Sequence, residues 1–101
     1  MIVQGDVFFT KAEVLPDGAK AMARTSRGFV VAEGEATGHA HVIADNIELY
    51  ELRDVLYLRT EKEVQVRHEE HKPVSLSKGI WKVGIAREYD PFEEEARKVR
   101  D

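Results

Sequence analysis

The segment Ile47-Glu48-Leu49-Tyr50-Glu51-Leu52-Arg53-Asp54-Val55-Leu56-Tyr57-Leu58-Arg59 is rich in leucine, tyrosine and β-branched residues and is broken once, at Arg53-Asp54. It reads as two strands, 47–52 and 55–59. The same period-two pattern extends both ways. Downstream, Thr60-Glu61-Lys62 separates a strand over 64–68, and a short strand over 74–76 follows. Ser77-Lys78-Gly79 then turns the chain into a last strand, 80–89, where Trp81, Val83, Ile85 and Tyr89 share the expected core face. Upstream, Gly5-Asp6 opens an apolar run through Thr10, and residues 12–15 form a second extended piece. Pro16-Asp17-Gly18 is a turn, because proline fixes φ and glycine is free to take a positive one. Residues 19–27 read as loop or as a short strand around Ala21-Met22-Ala23. Strands over 29–33 and 37–44 follow, with a bend at Gly34 and a tight turn at Asp45-Asn46.

The C-terminal end changes character. Asp90 can cap a helix, Pro91 suits its first position, and Glu93 to Glu95 precede Arg97, Lys98 and Arg100 in the order a helix dipole favours. A short helix over about 91–99 is therefore expected, docking through Phe92, Ala96 and Val99. The whole is a single all-β domain over 1–101, a small roll, barrel or sandwich of short antiparallel strands with one terminal helix.

Composition removes several function classes. With 101 residues there is room for one core only. Cysteine is absent, so a disulfide framework, a thiolate zinc site and a thiol nucleophile are excluded. A net charge of −4 argues against a general nucleic-acid binder. No apolar run approaches the roughly 20 residues of a membrane helix, and residues 1–9 lack the basic and apolar regions of a signal peptide. A cytoplasmic protein without membrane contact is the expectation.

The four histidines fall in two tight pairs, Gly38-His39-Ala40-His41 and His68-Glu69-Glu70-His71. Residues two apart on a strand leave the same face, so His39 and His41 can share one ion. The opposite face, Ala36, Gly38, Ala40, Val42 and Ala44, has the small residues of a packed core face, which would turn both rings toward solvent or a groove. His68 continues the inward face of Val64 and Val66, whereas His71 has the opposite parity unless Glu69-Glu70 bulges or turns. Three or four imidazoles suit zinc, and a mixed set with a carboxylate also suits iron, manganese or nickel. Asp45, Glu48 and Glu69 are the nearest candidates for that carboxylate, and Glu69 or Glu70 for a general base.

Gly34, His39-Ala40-His41 and Asp45 resemble the first cupin motif, with Asp45 where that motif has glutamate, and Leu76 to Trp81 resembles the cupin turn into a strand. No histidine follows Gly79, so the second cupin motif is absent and the likeness is an analogy for a metal in a β-barrel. A broader resemblance runs through Gln4-Gly5-Asp6-Val7, residues 32–41, residues 68–73 and Arg87-Glu88-Tyr89-Asp90-Pro91. Together these are similar to a set of small uncharacterised proteins of bacteria, their plasmids and phages, a resemblance that implies no particular reaction.

Two expectations follow. One is a divalent-metal protein with His39, His41, His68 and His71 as ligands, hydrolytic if a coordination position stays open. The other is a non-catalytic interaction or assembly protein of phage or plasmid origin, with structural histidines and a homo-oligomeric state.

Overall fold

A computed structural model describes residues 1–34 and 38–86. It is all-β, with ten strands: β1 Ile2–Gln4, β2 Val7–Ala12, β3 Lys20–Met22, β4 Phe29–Glu33, β5 Ala40–Ile43, β6 Glu48–Leu52, β7 Val55–Thr60, β8 Val64–Val66, β9 Val74–Leu76 and β10 Gly79–Ile85. Six make one antiparallel sheet in the order β1-β2-β10-β7-β6-β3, and β4-β5 and β8-β9 form two ribbons. Among the described residues no helix is long and apolar enough to cross a membrane. The expected helix over 91–99 lies outside the described residues.

The β6–β7 hairpin is the centre of the expected pattern, and its turn is tight. Leu52 pairs with Val55, and Arg53 and Asp54 take φ of 52° and 65°. Two left-handed residues are what a two-residue hairpin matched to strand twist requires, usually met by Asn-Gly. Arg53 accepts this unfavourable region because the flanking pairs Leu49–Leu58 and Tyr50–Tyr57 fix the register. Gly84 serves the packing of β10 on β2: the Phe8 ring lies over it, and a Cβ there would come within 2.2 Å of that ring.

The ribbons form a second layer. Among the described residues one backbone bridge links them, with Val42 and Arg67 exchanging hydrogen bonds of 2.9 and 2.8 Å. One core joins both layers: Phe9, Leu58, Trp81 and Val83 from the large sheet meet Val31, Ile43, Val66 and Leu76 from the ribbons. Fully burying side chains of this size contributes about 1.5–3 kcal/mol each. The β4–β5 register slips at Val31, between the pairs Val30–Val42 and Ala32–His41. This bulge keeps Val31 and Ala32 both inside and aims the start of β5 toward β8.

Several expectations are corrected. Residues 12–15 are no separate strand, since β2 runs to Ala12 and the chain then bends. The 37–44 segment is a strand only over Ala40–Ile43 among its described residues. Asp45-Asn46 does not close a hairpin: β5 pairs with β4, and β6 with β7 and β3, so these residues carry the chain from one layer to the other. Ile85 is 47% exposed despite sharing the parity of Trp81 and Val83, because it lies beyond the last β7 partner at Val83–Leu56. Strand β1 was not foreseen, and it matters for the site.

Candidate metal centre

Three chain segments meet at one end of the ribbon layer: the β1–β2 turn, the start of β5, and the β8–β9 connection. They bring all four histidine rings together. His68 lies 4.4 Å from His41, 4.8 Å from His71 and 5.6 Å from His39, centroid to centroid, and His41 lies 6.4 Å from His71. Rings converging on one tetrahedral ion through nitrogens at about 2.0–2.1 Å have centroids about 5 Å apart. The ring spacings about His68 are on that scale, although His41 and His71 stand outside the set whose ligand atoms come closest together. Nitrogens of His39 and His68 and a carboxylate oxygen of Glu69 lie within 4.8 Å of one another.

His41 is the anchor. It is 1% exposed, so its ring faces the interior, and the small-residue face of β5 is not the only packed one. Gln4, 2% exposed, determines its protonation. The Gln4 amide nitrogen donates to the carbonyls of Val66 and Lys72, both at 2.9 Å. Carbonyls only accept, so the amide cannot be reversed, and Oε1 is left to face His41 Nδ1 at 2.8 Å. Nδ1 must then carry the proton and donate it. In the neutral ring Nε2 is consequently bare, and it faces Asp6 Oδ1 at 3.7 Å. Burial and the neighbouring His68 hold the His41 pKa below its ordinary value, against the opposing pull of Asp6. A neutral imidazole, oriented by a hydrogen bond from its far nitrogen, is the form that binds metal.

The second pair is shaped by its own turn. Residues 69–71 bend, and the N–H groups of Glu70 and His71 donate to His68 Nδ1 at 3.1 and 3.4 Å. That turn cancels the unfavourable parity and brings His71 back beside His68. It also leaves the proton of neutral His68 on Nε2, so ligation through Nε2 requires these two contacts to be given up. His71 rests on Gly5, which has φ of 61°, and a Cβ there would come within 2.6 Å of the ring nitrogen. Glycine is needed at that position on both counts.

The carboxylates divide clearly. Glu69 Oε1 accepts from Ala40 N at 2.9 Å, and Oε2 accepts from Arg27 Nη2 at 2.8 Å. The Ala40 N–H first, then its own backbone N–H and Arg27, keep the Glu69 carboxyl below the usual range. Such a group serves as a ligand or a brace better than as a proton acceptor. Glu70 is exposed, with Oε1 at 3.8 Å from His39 Nδ1. The structure does not bring Asp45 or Glu48 into the group. Asp45 faces Lys62 at 3.8 Å. Glu48 is clamped by Arg59 and bonded by the Tyr50 hydroxyl, and the Tyr50 bond first, then Arg59, lowers its pKa. Sequence reading missed Gln4, Asp6 and Arg27 as parts of the site. The available signal was a glutamine and an aspartate flanking a glycine within an apolar N-terminal run.

Fold and site together define a class: a small two-layer β protein with a four-histidine cluster tied to its N-terminal hairpin. The chain belongs to the family described as a domain of unknown function, DUF8820, whose model matches residues 3–86. That span takes in Gln4, Asp6, Glu69 and every histidine. No curated protein and no solved structure matches the chain.

Proposed function

We propose that this protein binds one divalent metal ion through His39, His41 and His68, with His71 and a carboxylate of Asp6 or Glu69 completing the sphere. The observation that carries this reading is the Gln4–His41 pair. A buried glutamine with two carbonyl acceptors leaves a proton-free His41 Nε2 facing the Asp6 carboxylate, with the His68 and His71 rings beside it. Burying a ring in that state among like groups costs stability, and metal ligation is the use that offsets it. The nitrogen-rich set suits zinc, iron, manganese or nickel, and disfavours calcium and magnesium. An ion with one open position would bring a bound water toward a pKa near 7, with Glu70, the carboxylate left unpinned beside His39, as the base. On that footing the activity is hydrolytic.

Elemental analysis of tag-free protein purified without chelator tests the reading, beside a His39→Ala/His68→Ala variant. The expected result is near-stoichiometric metal in the wild type and little in a variant that remains folded. Absence of metal from the wild type after incubation with zinc, iron, manganese and nickel salts would refute it. One observation favours a second reading: His41 and His68 hold opposite tautomers, the arrangement of a metal-free base and acid. Under that reading the same salts leave no bound ion.

A further inference from the structure

A cleft of ≈ 310 Å³ opens beside the histidine cluster, with Ala40, Val42 and Ala44 of β5 and the segment after it along one side. His68 and Glu69 also line it, so a molecule in it would touch two of the proposed metal-binding side chains. This volume is at the lower end of small-molecule sites, about 300–1,000 Å³. The cleft is apolar along β5 and basic elsewhere. Arg27 and Arg67 line it, and Arg24 donates to the Ala44 carbonyl at its edge, 2.6 Å away.

In a chain with net charge −4, three guanidinium groups around one cleft are a local reversal of sign. Their roles differ. Arg27 is spent on structure: one nitrogen donates to the Glu69 carboxylate and to the Gly38 carbonyl, both at 2.8 Å. Arg24 is held by the Ala44 carbonyl and lies over the Phe29 ring, 5.8 Å from its centroid. Arg67 is anchored through its backbone, which bridges to Val42. Among the described residues its guanidinium makes one long contact, 3.4 Å to Gln65 Oε1. Among the described residues lining the cleft the carboxylate is Glu69, which is already paired with Arg27. An ion held by His68 and Glu69 would add further positive charge beside the cleft.

From this geometry we infer that the cleft is the substrate site, and that it takes a small organic anion. The anionic head, a phosphate or carboxylate, lies between Arg67 and the metal, and an apolar body lies along Ala40, Val42 and Ala44. This inference rests on the metal reading above. Arginine presents a planar fork of donors that matches either oxyanion, and the aliphatic wall gives an aryl or alkyl group somewhere to desolvate.

The test uses the full chain loaded with Co(II), whose visible bands respond to changes at the ion, with calorimetry for affinity. Phenyl phosphate and phenylacetate are the probes, with inorganic phosphate, acetate and neutral benzyl alcohol as comparisons. We expect at least one phenyl anion to bind, to move the Co(II) bands, and to bind more tightly than its bare head group. Which of the two binds identifies the head. Benzyl alcohol does not bind. Arg67→Ala weakens the anion by about tenfold or more, the scale of a lost charge-assisted bond. It leaves Co(II) affinity unchanged, and Arg67→Lys recovers part of the loss. Failure of both phenyl anions to bind overturns the inference while the metal reading stands. Full affinity in Arg67→Ala, or binding that leaves the Co(II) bands unmoved, does the same. Failure to take up Co(II) overturns the metal reading and this inference with it.

Discussion

Replacing Gln4 by methionine keeps the side-chain volume and removes every polar contact it makes. Three groups then lose a partner: the Val66 carbonyl, the Lys72 carbonyl and the His41 Nδ1–H. The Lys72 contact is only part-buried, so that carbonyl can turn to water. The bonds to Val66 and His41 are buried and cannot be replaced. A buried polar group left unsatisfied costs about 1–3 kcal/mol, so two such groups give a loss of roughly 2–6 kcal/mol in the metal-free protein. For a domain of this length each kcal/mol moves the melting temperature by about 4–8 °C, so a fall of about 10 °C or more is expected. Metal affinity should drop separately by about 10–100-fold, because the His41 ring loses the group that fixes its tautomer. Urea unfolding with chelator present gives the first quantity, and zinc competition against a chromophoric chelator gives the second. Nitrogen NMR of the imidazoles reads the tautomer directly: Nδ1–H at His41 in the wild type and a mixture in the variant. A loss within about 0.5 kcal/mol, the range of ordinary surface changes, together with unchanged zinc affinity, would refute the assignment of His41 as an oriented ligand.

Three further outcomes are expected. Because the folded protein holds His41 below its ordinary pKa, the unfolded chain binds more protons between that lowered value and about 6.5. Stability of the metal-free protein is therefore full above that window and falls as pH drops through it, by up to about 1.4 kcal/mol per pH unit. His41→Gln should flatten this segment of the urea-midpoint profile, and identical slopes in the two proteins would contradict it. Gly5→Ala places a methyl 2.6 Å from His71 Nε2 on a backbone with φ of 61°. It should cost about 1–3 kcal/mol by thermal unfolding and pull His71 out of the cluster; a variant as stable as wild type would show that the turn relaxes freely. Glu48→Gln should leave zinc affinity untouched, since Arg59 and Tyr50 already occupy that carboxylate, and a weakened site would show that Glu48 reaches the ion after all.

The sequence made the hairpins legible where local signals agreed. Strand β4, 29–33, is where its pattern of valines flanked by glycines puts it, and β7 and β9 match to within a residue. It did not show which strands share a layer. Asp45-Asn46 looks like a hairpin turn because nothing local distinguishes a turn within a sheet from a crossing between two. Strand β1 is three residues long and gains its identity only from pairing with β2, so no periodicity could expose it. The site followed the same rule. Pairing of the four histidines was visible, and so was the need for a turn at Glu69-Glu70. The burial of His41 was not, because it depends on Gln4, 37 residues away along the chain. Nor could Asp45 and Glu48 be separated from Glu69 by spacing, since their partners Lys62 and Arg59 come from other elements.

The long-range character of Gln4 also indicates how site and fold depend on each other. Its amide reaches Val66 at the end of β8 and Lys72 before β9, 62 and 68 residues away, while its oxygen reaches β5. One side chain on an edge strand of the large sheet thus ties both ribbons to it at the point where the histidines converge. The ribbons also meet through the Val42–Arg67 backbone bridge, the Ala40–Glu69 hydrogen bond and the shared core. A bond network that spans three segments closes only when all three are docked. The cluster therefore depends on the docking of all three, and an ion bound there would stabilise the docked ribbons by an amount that rises with the logarithm of its concentration over its dissociation constant. At a hundredfold excess that amounts to about 2.7 kcal/mol, a sizeable share of the roughly 5–15 kcal/mol that holds a domain together. Metal content would then govern how firmly the ribbon layer sits on the sheet, and slowed amide exchange at Val42 and Arg67 in the metal-loaded protein is where that coupling should be read.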